Sequence, residues 1–447
     1  MQRVWGLPAG VWMALLAALA AGALYESVTF YPEHWSMDLY HPWGIPLAHR
    51  AFGDASNPYA DTARYGAFID SVARASKSGA LIWVSDFWQW RNPRGIIEPT
   101  GTPFYYAVQA WVPANFEQVH LLYTLACFCA VMLAVFLLAR LREAPMLPAL
   151  CIVALVIHDY NPFIQDVRVG NVNSVQLLVL VAMIAAAHQR LYERHVWADR
   201  AFLAVLAVFL LFKPNTIFIV AALAAHYLVA RGARRFAIGT AVAIPAVLVA
   251  AAFGACYFGS PGVWLDWLRY TQGANGGTLV YSLVKGNTAL PVMLAERAGA
   301  YGPAGYSVLL GAAFGVALLV CASSLGRETG RVVPAFRAWF ADPWVAASIG
   351  ALAMFIASPL MWPHYFVFAL IPIAWLARPE KPLDAAVACA ILSYALFSRL
   401  TLGPLVMADM GRLAYSVMFF SWVPLLPAAL VRLARIARDV PAPLRTA

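Results

Sequence analysis

The residues able to do chemistry gather at a few points of this chain. Asp38 follows the first apolar run closely, in the stretch Tyr31-Pro32-Glu33-His34-Trp35-Ser36-Met37-Asp38-Leu39-Tyr40. A carboxylate at the head of a long loop can take the proton from a substrate hydroxyl. Further on come Asp166, Arg168, Asn171 and Asn173, then Lys213 before Pro214, then Lys285 and Asn287, and finally Trp362, His364 and Tyr365. An acid with several cations, set where apolar segments end, suits a lipid-phosphate substrate. The cations would hold the phosphate through charge-assisted hydrogen bonds. Stabilising the charge on the departing phosphate would then lower the barrier.

Each of these residues also has a plainer reading. Asp38 suits a turn or helix cap. Lys213 can snorkel to a membrane surface, and Asp166 with Arg168 can form a local ion pair. His364 can hydrogen-bond backbone at an interface, while His34, His41 and His49 suit solvated positions. On position alone, the turn reading of Asp38 wins.

The elements that must position these groups are apolar. The chain has 447 residues, is 62% hydrophobic and only 12% charged, with a mean hydropathy of +0.69. A soluble domain carries roughly twice that charged fraction, so the composition indicates a polytopic membrane protein. The net charge of +9 does not point to nucleic acid, because the basic residues sit at the ends of apolar runs as the positive-inside rule requires. The six cysteines lie mostly inside apolar stretches, with no CxxC or Cys/His spacing for a metal. No metal site and no cofactor is expected.

A spanning helix needs about 20 apolar residues. Candidate spans fall at 8–28, 118–139, 145–159, 172–188, 199–212, 215–230, 236–257, 304–323, 343–358, 363–377, 383–400 and 413–434. This predicts an all-α bundle of about twelve transmembrane helices, in a single domain over 1–447. The first span reads as an uncleaved start-transfer helix. Lys213-Pro214-Asn215 is either a turn between two spans or a break within one, because proline interrupts the backbone ladder. Alternate turns carry Arg140 and Arg142; Arg190, Arg194 and Arg200; Arg231, Arg234 and Arg235; Arg327, Arg331 and Arg337; Arg378 and Lys381; and Arg432, Arg435 and Arg438. That alternation places both termini in the cytoplasm. Two long extracytoplasmic loops follow, at 29–117 and 258–303, and long ordered loops are usually functional. Within the first loop, Tyr65, Phe68, Ile69 and Val72 recur at helical spacing, predicting a short interfacial helix over 61–76. Trp83, Phe87, Trp88 and Trp90 read as an aromatic belt.

Several short motifs run through the chain in a fixed order. They are Asp38-Leu39-Tyr40, Asn57-Pro58-Tyr59, Pro99-Thr100-Gly101-Thr102-Pro103-Phe104-Tyr105, Gly170-Asn171-Val172-Asn173, Lys213-Pro214, Gly286-Asn287-Thr288 and Ser358-Pro359-Leu360-Met361-Trp362-Pro363-His364-Tyr365. In this set the chain resembles the GT-C superfamily of polyprenyl-phosphate-sugar-dependent glycosyltransferases. Within it, the resemblance is to glycosyltransferase family 87, the DUF2029 proteins, of the phosphatidylinositol mannoside α-1,2-mannosyltransferase type. It departs at Asn171, where the family more often has Gln, and in the length of the Trp-rich first loop.

The resemblance implies a GT-C-like bundle at the plasma membrane with an extracytoplasmic active site. It implies Asp38 as catalytic base and a role near the donor for His364; beside them, from their own chemistry, Lys213, Arg168 and Lys285 are candidates for the donor phosphate, and Asn171, Asn173 and Asn287 for hydrogen bonds to the sugar. Tyr40, Asn57, Tyr59, Trp362 and Tyr365 are candidates for contacting the acceptor or lining the site. The implied partners are a polyprenyl-phosphate-linked sugar, most often mannose in that family, and a lipid or glycan hydroxyl, among membrane lipids. The implied transfer inverts the anomeric centre without a metal. Open alternatives are a lipid or solute transporter, a scaffold without catalysis, and a transferase of arabinofuranose or glucose from the matching lipid phosphate.

Overall fold

In a hydrocarbon environment every backbone N–H and C=O must find its partner within the chain, which leaves apolar segments little choice but helix. The computed structural model describes residues 3–4, 7–29, 37–53, 56–76, 78–91, 97, 99, 101–271, 287, 289–323, 332–377, 384–408 and 411–439. Among these the chain is all-α apart from a two-stranded antiparallel pair, Arg3–Val4 with Leu7–Pro8. The first twelve α-helices are α1 (Ala9–Thr29), α2 (Tyr40–Phe52), α3 (Thr62–Ala75), α4 (Gly79–Arg91), α5 (Pro103–Val108), α6 (Phe116–Leu141), α7 (Met146–Asp159), α8 (Asn161–Val169), α9 (Asn173–His188), α10 (Leu191–Arg194), α11 (Val196–Phe212) and α12 (Ile217–Tyr257).

The expected bundle of about twelve spans is corrected. Among the described residues four helical segments are long and apolar enough to cross a membrane: Phe116–Leu141, Pro214–Tyr257, Pro303–Ser323 and Ser416–Arg438. A fifth is added if Val332–Ala341 and Pro343–Ala357, bent by 101°, are one span. The GT-C-like twelve-span architecture therefore does not hold. The reason is that an apolar stretch is not a continuous helix. Ala9–Tyr25, Met146–Asp159, Asn173–His188, Pro363–Leu376 and Ala385–Phe397 are apolar helices of only 10–17 residues. At 1.5 Å per residue, the 14 residues of α7 reach only about 21 Å, short of the roughly 30 Å hydrocarbon core. Candidates 215–230 and 236–257 fall on the single run α12, interrupted at Gly232, whose φ of 77° is left-handed and suits glycine alone.

Those interruptions build the site. α7 ends at Tyr160, α8 follows at once, and α8 is closed by left-handed Gly170 (φ 73°). α11 ends at Lys213, which is extended, and a short 3-10 turn, Pro214–Thr216, leads into α12. The chain reverses there, for Tyr227 on α12 donates to the Asp199 carbonyl and carboxylate of α11 at 2.8 and 2.9 Å. At this far end Arg231 and Arg235, on either side of Gly232, both reach the buried Asp199, at 3.0 and 3.3 Å. The apolar core passes through Pro343–Ala357, where Gly350 lets α12 come close. A Cβ there would lie 2.6 Å from Ile219 Cα and 2.7 Å from the Phe218 carbonyl oxygen.

The described residues of the first long loop form a folded layer. Helix α3 begins one residue after its expected start, with the Asp61 side chain capping the Arg64 N–H. Its Tyr65 and Ile69 are buried, and Ile69 lies against Gly44 of α2. They join Tyr40, Trp43, Tyr59, Tyr106, Phe258 and Tyr270 in a second apolar cluster, distinct from the one inside the helical bundle. Trp43 Nε1 donates to the Ala114 carbonyl at 3.0 Å, tying α2 to the start of α6. Trp83 is half exposed on α4; the Phe87, Trp88 and Trp90 side chains, like His34, lie outside the described residues.

Candidate functional site

Four breaks in the helical structure meet at one place. Asp38 sits in the 3-10 turn Met37–Leu39 that opens α2, and this turn packs beside α8. Asn171 follows the left-handed Gly170. Lys213 joins α11 to Pro214. His364 lies in the first turn of the 3-10 helix Pro363–Ala369.

Asn171 is the hub. Its Nδ2 donates to Asp38 Oδ2 at 3.0 Å and lies 3.2 Å from His364 Nε2. Its Oδ1 accepts from Lys213 Nζ and from the Val172 N–H. An ammonium only donates, so Lys213 fixes the carbonyl end of the amide toward itself and the NH2 end toward Asp38. With the NH2 facing it, His364 Nε2 acts as the acceptor, which assigns the proton to Nδ1. Lys213 Nζ also stands 5.5 Å from the centre of the Tyr365 ring, within cation–π range. One amide thus holds an acid, a base and a cation in register.

A second layer of polar groups supports this hub. Asp166 is fully buried, and its Oδ1 accepts from Asn173 Nδ2 at 2.9 Å. Its Oδ2 accepts from the Ser174 N–H at 2.7 Å and from Ser174 Oγ at 2.5 Å. Asp166 therefore staples the turn that presents Asn171, and among the described residues it forms no ion pair with Arg168, the plainer arrangement open to the two. Residues two apart on a helix do not face each other. Among the described residues the half-buried Arg168, in the last turn of α8, has no hydrogen-bond or ion-pair partner. Asn173 gives its NH2 to Asp166 and accepts from Asn215 Nδ2 at 3.1 Å, while Gln176 Nε2 donates to Asn215 Oδ1 at 3.0 Å and to the Lys213 carbonyl at 3.2 Å. Asn173, wholly buried, is a scaffold residue here. Ser174, Gln176 and Asn215 were not singled out from the sequence, although Asn173 and Gln176 stand one helical turn apart.

The other expected site residues divide. Asn287 is buried and belongs to the support. Its Nδ2 donates to the Pro359 carbonyl at 3.0 Å, and its Oδ1 accepts from the Ala289 and Met361 N–H groups. It fixes the segment that leads to Trp362 and His364. Lys285 lies outside the described residues. Tyr40 is buried and its hydroxyl meets Ser85 Oγ at 3.2 Å; burial raises its pKa to about 12, so it stays neutral. Tyr59 donates to the Gly101 carbonyl at 2.7 Å, and Asn57 donates to Asp266 Oδ2 at 2.8 Å. Both residues fasten the loop layer, and neither hydrogen-bonds to the hub among the described residues. His49 is buried rather than solvated; its Nε2 donates to the Tyr257 carbonyl at 2.6 Å, and its Nδ1 meets Ser56 Oγ at 2.9 Å. That network anchors the layer to the end of α12. Among the described residues no group of three His, Cys, Asp or Glu side chains is gathered as a metal site would need.

No family model, no curated protein and no solved structure matches this chain.

Proposed function

We propose that this chain is a membrane glycosyltransferase. It moves a sugar, with mannose the first candidate, from a polyprenyl phosphate to a lipid-linked or glycan hydroxyl. The reading rests on the motif resemblance together with one observation: Asp38, Asn171, Lys213 and His364, distant in sequence, share a single hydrogen-bonded hub. The acceptor hydroxyl gives its proton to Asp38 as its oxygen bonds to the anomeric carbon. The bond from that carbon to the phosphate oxygen breaks, and the electron pair leaves with the phosphate. Lys213, and Arg168 from α8, stabilise the charge that develops there. His364, acting through Asn171, positions Asp38. The basic residues that close the long apolar helices, Arg140 and Arg142 after Leu138 and Arg432, Arg435 and Arg438 at the end of Ser416–Arg438, support a site on the extracytoplasmic face of the plasma membrane.

Helices broken around a polar centre are also how transporters hold solutes at membrane depth, and this keeps a transporter as the second reading. Proteoliposomes carrying the wild type or Asp38→Asn are given radiolabelled polyprenyl-phosphate mannose, and label is followed into extracted lipids and glycans. The wild type is expected to transfer, and Asp38→Asn to lose about a hundredfold or more while inserting normally. Full activity of Asp38→Asn refutes its role as base. No transfer by the wild type from mannosyl, arabinofuranosyl or glucosyl donors refutes the enzyme reading.

A further inference from the structure

A second polar constellation lies at the opposite end of α11. The 17 residues of that helix put its start about 25 Å from Lys213, at the end of the helix farthest from the hub. There an open groove of about 730 Å³ is lined by Arg194, His195, Trp197, Arg200, Ala204 and Val242, among others.

The charge at this end is unevenly matched. Asp199 is already taken by Arg231 and Arg235. Arg194 and Arg200 are exposed, and among the described residues neither has a hydrogen-bond or ion-pair partner. The groove therefore has two uncompensated guanidinium groups, which match phosphate well. Beside them Trp197 is 69% exposed and stacks on His195 with ring centres 5.9 Å apart. An exposed Trp next to arginines is characteristic of the headgroup level. The floor is apolar, and it continues toward the hydrocarbon along exposed Val205, Ile238 and Val242. A soluble anion would use the arginines and leave that floor bare. A molecule with a phosphate and an acyl chain uses both.

We propose that this groove binds one anionic glycerophospholipid in the leaflet opposite Asp38. Arg194 and Arg200 hold its phosphate, Trp197 packs on its glycerol region, and an acyl chain lies over Ala204 and Val242.

The full chain, purified and delipidated in detergent, is titrated with phosphatidylglycerol or phosphatidylcholine and read by native mass spectrometry. The wild type is expected to take up phosphatidylglycerol in preference to phosphatidylcholine. Arg194→Gln/Arg200→Gln is expected to weaken the first phosphatidylglycerol adduct by about thirtyfold, roughly fivefold per arginine. Arg234→Gln/Arg438→Gln, which changes net charge equally, should titrate like the wild type. Ala204→Phe fills the floor without changing charge and should weaken the same adduct. Equal loss in both arginine pairs, no loss in the first pair, or equal uptake of phosphatidylcholine overturns the proposal. So does unchanged binding by a folded Ala204→Phe. Arg194 and Arg200 are surface residues whose replacement leaves the fold intact, so their arm is decisive even should Ala204→Phe misfold.

Discussion

Replacing Asn171 with leucine is the sharpest probe of the hub. Leucine keeps the same number and branching of heavy atoms, though its methyls are bulkier, and removes the donor to Asp38 and the acceptor for Lys213. Hydrogen bonds to charged groups contribute about 1.5–3 kcal/mol each. Both partners are only half buried, so water can replace part of what is lost, and the net destabilisation should be about 2 kcal/mol. In a chain of this length that lowers the melting midpoint by only a few degrees. The effect on transfer should be larger, because misplacing a base by about 1 Å can cost about a hundredfold. Asn171→Leu is therefore expected to fold, to melt slightly early and to be nearly inactive. The decisive assay is a double-mutant cycle with Lys213→Met, read by thermal melting in detergent. Two residues joined by one bond should show a coupling of at least about 0.5 kcal/mol. Additive losses, or an Asn171→Leu protein with wild-type transfer, would refute the hub as the organiser of the site.

Two further outcomes follow from packing and charge elsewhere. Gly350→Val drives a side chain into the backbone of Ile219 and Phe218, and should destabilise by roughly 1–3 kcal/mol or more, whereas Gly10→Ala, with nothing within 4 Å of the added carbon, should melt like the wild type. Asp384 is held below the usual carboxylate range by the Val387 N–H and then by Arg432 and Arg435. A depressed folded pKa adds stability above the unfolded value of about 3.9 and loses it as pH falls through the folded one, so melting curves of Asp384→Asn should show a shallower loss between about pH 4 and pH 2 than the wild type.

The sequence carried different parts of this molecule with unequal clarity. Period-3.6 spacing of Tyr65, Ile69 and their neighbours located α3 to within a residue, because a helix with one buried face leaves that imprint directly. The span count was misread for a physical reason. Hydropathy registers burial in lipid or protein alike, so α7 and α9, short helices that end in polar breaks, looked like membrane crossings. The hub was visible only as separate polar residues. That Asn171 would bridge Asp38, Lys213 and His364 depends on the turn geometry at Gly170, which no spacing rule encodes. Asp166 shows the limit from the other side. Its sequence neighbour Arg168 suggested a pair, yet its partners are the backbone and side chains of the next helix, where they satisfy a buried carboxylate.

The contacts of the hub also set an order of assembly. Asn171 and Lys213 are 42 positions apart, and the α11–α12 reversal that presents Lys213 is a local helical hairpin, a quick unit to form. Asp38 lies 133 positions before Asn171, and His364 follows it by 193. During synthesis the carboxylate and the amide are both made before the ammonium, and the imidazole arrives only after most of the chain has been made. A nascent protein released before residue 364 would carry the carboxylate and the cation but not the ring beside them, so the hub is complete only near the end of translation.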